Sequence, residues 1–126
     1  GRVRALGELE AQVMRKVWAR PGPVTVRDIL GDLQQDRRIA YTTVMTVMDN
    51  LRKKGWLHRE ERNDGRAYRY EPAVTSEEYG AGVMRQALAA SSDRAGTLMH
   101  FIGELSAEEA SALAEAYRRL TGTDTP

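Results

Sequence analysis

The chain has 126 residues, 41% hydrophobic and 29% charged, with a formal net charge of +1, the size and balance of one globular domain or of a small domain with an appendage. It has no cysteine, which excludes disulfides, thiolate metal sites and a cysteine nucleophile, and its apolar runs are far shorter than the roughly 20 residues that cross a bilayer, so no membrane insertion is expected. Residues 1–72 hold 15 Lys+Arg and 10 Asp+Glu, a net of +5, and residues 73–126 hold 4 and 8, a net of −4; this fits a polyanion-binding module joined to one of another kind, or a chance scatter of few charges.

The basic start Gly1-Arg2-Val3-Arg4 is not followed by an apolar signal core, so a cytoplasmic location is the expectation. Leu6, Leu9, Val13 and Val17 then recur at helical spacing, with Trp18 beside them, and predict a helix from about Leu6 to Ala19. Arg20-Pro21-Gly22-Pro23 stops it. Thr25, with Asp28 three residues on, opens a second helix whose apolar stripe is Val26, Ile29, Leu30 and Leu33. A third helix is predicted over Tyr41–Lys54, with Val44, Val47, Met48 and Leu51 as its core face. Arg52, Lys53 and Lys54 suit the negative end of its dipole, and Gly55 suits a left-handed cap.

The period then changes. Trp56–Glu60 and Ala67–Glu71 read as two strands, with Tyr68 and Tyr70 on one face. Asn63-Asp64-Gly65 is the turn between them, bracketed by Arg59, Arg62 and Arg66, and Pro72 ends the hairpin. Three more helices follow. Thr75 and Glu78 form a capping box opening a helix over Ser76–Ala90, and Ser91-Ser92-Asp93 breaks it. A short segment over Arg94–Glu104 carries Leu98, Met99, Phe101 and Ile102. Ser106 and Glu109 cap a last helix striped by Ala110, Leu113, Ala114, Tyr117 and Leu120, before a frayed tail over 121–126.

The expected class is therefore mainly α with a small β-hairpin wing: a winged helix-turn-helix over residues 1–74, then a helical dimerisation region over 75–126. In that arrangement the third helix enters the major groove of DNA. Opposite its core face lie Thr42, Thr46, Asp49 and Lys53, flanked by Thr43 and Asn50. Small hydroxyl side chains let a helix lie deep in the groove and meet base edges, phosphates or the thymine methyl, and asparagine pairs with adenine. Threonine is not favoured on a purely solvated helix face. Asp49 opposes phosphate, and either pairs with Lys53 or accepts from a cytosine amine. Arg52, Lys53, Lys54 and the hairpin arginines Arg59, Arg62 and Arg66 are expected on phosphates, or as a solvated surface.

Several stretches resemble the penicillinase-repressor family. They are Gly7-Glu8-Leu9-Glu10 with Val13-Met14 and Val17-Trp18, then Thr25–Ile29, the run Ala40–Gly55, and the wing end Tyr68–Pro72. The resemblance implies a homodimeric repressor on a dyad-symmetric double-stranded DNA operator, with Thr43 and Thr46 on bases and Thr42, Asn50 and Arg52 near the backbone. It places dimer contacts in the C-terminal helices, here Val83, Leu98, Phe101, Ile102, Leu113 and Tyr117. It further implies antibiotic or cell-wall stress genes as targets, and release by a membrane sensor protease pathway that cuts within those helices. The matching bond is His100-Phe101, where the family's usual asparagine is replaced by His100; the alternative is Phe101 as a core residue and His100 as a surface one. About fifty residues in three short helices bury little core alone, so their apolar surface meets either the winged helix of the same chain or a second chain.

No enzyme is expected, because the chain has no Gly-rich phosphate loop, no Gly-x-Ser-x-Gly and no His-Glu-x-x-His. No cofactor or metal is expected either, His58 and His100 being the only histidines. The alternatives are a winged-helix protein-interaction module and a small-molecule-responsive regulator.

Overall fold

A computed structural model of the chain describes residues 6–62 and 64–122. The basic start over 1–4, Asn63 of the turn and the tail over 123–126 lie outside the described residues. The chain divides into two compact units, Gly1–Gly80 and Ala81–Pro126.

In the first unit α1 spans Glu8–Ala19, α2 Val26–Gln34 and α3 Tyr41–Lys53. The amide of Gly7 donates to Oε1 of Glu10 at 2.8 Å, which satisfies one of the free donors at the start of α1. Thr25 caps α2 reciprocally: its Oγ1 accepts from the Asp28 amide at 3.1 Å, and its own amide donates to Asp28 Oδ2 at 2.9 Å. Gly55, at φ +91°, takes the left-handed turn that ends α3. The strands β1 (Leu57–Glu60) and β2 (Arg69–Pro72) pair antiparallel, from Leu57 opposite Pro72 to Glu60 opposite Arg69. Val24 and Tyr70 exchange backbone hydrogen bonds at 2.9 and 2.7 Å, fixing the α1–α2 connection along β2.

One core holds these elements together. Val13, Met14 and Val17 of α1 meet Val26, Ile29 and Leu33 of α2 and Val44, Met48 and Leu51 of α3, closed by Val24, Trp56, Leu57, Tyr70 and Val74. Two details differ from the sequence expectation. On α1, Met14 is fully buried while Leu9 is only half-buried, so the inward face is rotated from the stripe read in the sequence. On the hairpin, pairing stops at Glu60–Arg69, so Trp56 precedes β1 and Tyr68 precedes β2. The alternation that would place Tyr68 beside Tyr70 therefore ends one residue early. Tyr70 is in the core, whereas Tyr68 is exposed and carries the Arg59 guanidinium 4.2 Å from its ring centre.

The helix α4 (Ser76–Ala89) opens with the Thr75–Glu78 capping box and is followed by α5 (Arg94–Gly103) and α6 (Ala107–Thr121). Asp93 caps α5 through the Gly96 amide at 3.0 Å, and Ser106 and Glu109 cap α6 reciprocally at 3.1 and 2.8 Å. None of these three helices has a fully buried residue. No described helix is long and apolar enough to cross a membrane.

Met14 and Met48 are both fully buried at the centre of the first unit. Replacing either by alanine should cost that unit about 2–5 kcal/mol. Urea unfolding followed by tryptophan fluorescence measures this, since Trp18 and Trp56 both belong to the first unit. A loss below about 1 kcal/mol at both positions would contradict the packing described.

Candidate nucleic-acid interface

The core fixes which side of α3 faces out. Val44, Met48 and Leu51 are buried and Val47 packs half-buried against them. At 3.6 residues per turn, the opposite side presents Thr42, Thr43, Met45, Thr46, Asn50 and Lys53, all exposed. Among the described residues, the side chains of Thr42, Thr43, Thr46 and Asn50 take no hydrogen-bond partner. Their donors and acceptors face solvent on a rigid helix.

Asp49 is the exception on this side. Its Oδ1 accepts from Arg52 Nη2 at 2.7 Å and Nε at 3.1 Å, and lies 3.5 Å from Arg59 Nη1. Its Oδ2 lies 3.3 Å from Lys53 Nζ. The sequence pairing with Lys53 is thus present, with two arginines added. The hydrogen-bonded Arg52 guanidinium holds the Asp49 carboxyl below its ordinary value, opposed by partial burial and helped by Lys53.

The cations of this region are not equivalent. Lys53 keeps 63% of its side chain exposed, whereas Lys54 reaches back to Glu10 Oε1 of α1 at 2.7 Å. Lys54 therefore braces α3 against α1, which differs from the phosphate role read in the sequence. On the hairpin, Arg59 is 20% exposed, lying over Tyr68 and 3.3 Å from Glu61. Arg62 is 14% exposed and 3.5 Å from Asp64, while Arg66 is 72% exposed and 3.4 Å from the same carboxylate. Of Arg59, Arg62 and Arg66, Arg66 extends furthest into solvent.

Three residues of this surface escaped the sequence reading. Met45 is exposed beside Thr42 and Asp49, one turn away in each direction. Tyr41 opens α3 with the Arg27 guanidinium of α2 lying 5.3 Å from its ring centre. The i, i+3, i+4 projection that placed Thr42 and Asp49 also places Met45; its apolar character hid it. The tie between Arg27 and Tyr41 has no local signal, since it joins two elements.

Elsewhere on the unit, a recess of about 560 Å³ is lined by Gln12, Arg15, Lys16, Leu33, Asp36, Arg37 and Arg38, a charged wall unlike the apolar clefts that take small ligands. Among the described residues, no group of three or more His, Asp or Glu is placed to hold a metal ion.

Three helices, the third with an exposed polar side, followed by a two-stranded hairpin define a winged helix-turn-helix protein. The profile described as penicillinase repressor matches residues 6–119, and the chain belongs to that family. It is 42% identical over 118 residues to the transcriptional regulator BlaI of Mycobacterium tuberculosis (strain CDC 1551 / Oshkosh), covering 91% of this chain and 84% of that protein. The same regulator from strain ATCC 25618 / H37Rv matches equally. The solution structure of the DNA binding domain of the repressor BlaI matches with a TM-score of 0.53 at 22% identity, over 62% of this chain and 92% of that one. Bacillus licheniformis BlaI, in its monomeric form in complex with the blaP half-operator, matches with a TM-score of 0.51 at the same identity and coverage. These two likenesses establish the fold. The family is one of transcriptional regulators, not of enzymes.

The depressed carboxyls set an expected pH dependence. Asp49 is held down first by Arg52, and Asp32 first by the Arg20 guanidinium, at 2.9 Å. A depressed folded value stabilises above the unfolded value of about 3.9 and is lost as pH falls through the folded value. The urea midpoint of the first unit should therefore fall steeply below about pH 4, and Asp32→Asn should flatten that fall. An acid limb identical to that of the unsubstituted protein would remove Asp32 as a contributor.

Proposed function

We propose that the protein is a transcriptional repressor that binds a dyad-symmetric DNA operator as a homodimer. One observation carries this reading: α3 is clamped by its inner face while Thr42, Thr43, Thr46 and Asn50 stand exposed, without partners, on its outer face. A rigid helix with short polar side chains is suited to the major groove. Thr43 and Thr46 are assigned to base edges, with Thr42, Asn50 and Arg52 beside them. Lys53, Arg59, Arg62 and Arg66 are assigned to phosphates, Lys53 and Arg66 having the freest reach. The relative named a transcriptional regulator supports the reading. So does the fold shared with a repressor solved on its half-operator.

In this reading residues 1–74 bind DNA and residues 75–126 dimerise. Val83, Leu98, Phe101, Ile102, Leu113 and Tyr117 are each between 42% and 56% exposed, apolar surface that a second copy would cover. The regulated genes are assigned to antibiotic or cell-wall stress, and release to a sensor protease pathway cutting His100-Phe101. That bond lies inside α5. A protease reads an extended backbone, so the last turns of α5 must open before cleavage.

Binding to an inverted-repeat duplex, selected from genomic fragments, and to a scrambled duplex tests the proposal across a salt series. Two chains per repeat, preference for the repeat and a steep loss with salt are expected. Thr43→Ala or Thr46→Ala should lower that preference by about 1–3 kcal/mol while nonspecific binding persists. A folded protein that binds no fragment, even at low salt, would leave the protein-interaction alternative standing. Sedimentation equilibrium should give a dimer, and Phe101→Asp should shift it toward monomer; a monomeric parent protein at micromolar concentration would overturn the dimer.

A further inference from the structure

A carboxylate on a surface meant for DNA is repelled by phosphate, so its presence there asks for a compensating role. Asp49 is such a carboxylate. Part of its network is local, since Arg52 and Lys53 follow at i+3 and i+4 on the same helix. The Arg59 contact is different in kind, because Arg59 belongs to β1 and Asp49 to α3.

Arg59 is held in an unusual way. Its Nε is buried and without a hydrogen-bond partner. Such a group costs free energy and does not anchor the side chain. What keeps the guanidinium in place is the Tyr68 ring under its face, the side chain of Tyr70, Glu61 at 3.3 Å and Asp49 at 3.5 Å. Asp49 is the one of these groups that lies outside the hairpin.

We propose that Asp49 is a positioning residue that ties the wing to the recognition helix, holding Arg59, Arg52 and Lys53 in one cluster and restraining their attraction to nonspecific polyanions. The inference rests on the DNA-binding reading for its second half only. Pre-placed cations lose less conformational freedom when they meet phosphates of correct spacing. A cluster that keeps an internal negative charge attracts an arbitrary phosphate backbone less than three uncompensated cations do. Asp49 thereby favours the duplex that fits over the duplex that merely carries charge.

The test uses the full-length chain with Asp49→Asn, Asp49→Glu, Arg59→Met and Asp49→Asn combined with Arg59→Met. In the free protein, Asp49→Asn should speed amide hydrogen exchange severalfold in residues 57–60 and 69–71, with α1 unchanged, and Asp49→Glu should restore much of the protection. Exchange that stays at the parent rate, or that rises equally in α1, would overturn the tie. So would strictly additive effects in the double variant, because coupled residues depart from additivity. On the scrambled duplex, Asp49→Asn should bind about 3–10-fold tighter with a salt slope steeper by about one, while the repeat gains less, so the specificity ratio falls. An unchanged ratio with a loosened wing would overturn the restraint. If no duplex is bound by any form while wing exchange still rises, the tie stands and the repressor reading fails.

Discussion

Trp56 is the pivot of the first unit. Its amide donates to the Leu51 carbonyl at 2.9 Å, closing α3, and its carbonyl accepts from Ala73 at 2.8 Å, where the chain leaves the hairpin. Its ring is buried and packs at 6.4 Å from Trp18 of α1 and 5.5 Å from Tyr79 of α4. Trp18 closes the group by donating its indole N–H to the Val74 carbonyl at 2.8 Å. Aromatic groups of this size dominate a small core, and the two indoles and the phenol meet tilted or edge-on as their quadrupoles prefer. Because Gly55 turns the chain immediately before it, Trp56 fixes the direction in which the hairpin leaves α3. The placement of the wing beside the exposed side of α3 follows from that junction.

Charge is distributed on top of this frame with two separate functions. Lys54 with Glu10, and Arg20 with Asp32, cross between helices and stiffen them. Lys53 and Arg66 remain largely solvated. The basic balance of the first 72 residues is therefore not a measure of how much charge is presented to a polyanion. Lys53 and Arg66 are paired too, with Asp49 and Asp64, but such exposed pairs are weak and cheap to redirect toward a phosphate.

What was legible in the sequence follows the range of the interaction that encodes it. The inner face of α3 is a clean i, i+3, i+4, i+7 stripe, and Val44, Met48 and Leu51 are indeed buried. The Thr25, Thr75 and Ser106 capping boxes span three residues and were all readable. Features set by partners distant in sequence were not. The burial of Met14 depends on how α1 rolls onto α2 and α3, and the destination of Lys54 depends on Glu10, 44 residues earlier. The position of Tyr68 depends on where strand pairing stops, which the hairpin sequence leaves open. The cluster around Asp49 was readable through Lys53 but not through Arg52 or Arg59.

The C-terminal helices show the opposite imbalance. Their boundaries are strongly encoded by caps, yet nothing in them is fully buried. Isolated helices of 10–15 residues are marginal in water, and most helical stability in proteins comes from burying an apolar face. With Met99 75% and Leu120 87% exposed, the apolar faces of α5 and α6 supply little of that burial within one chain. In the proposed dimer, association and helix stability in this region become one equilibrium, and the region's order depends on protein concentration. A cut in α5 would then act twice, by removing contact area and by shortening a helix already near its minimum length. In the proposed repressor, that coupling gives a small region a physical route to switching occupancy of a two-site operator.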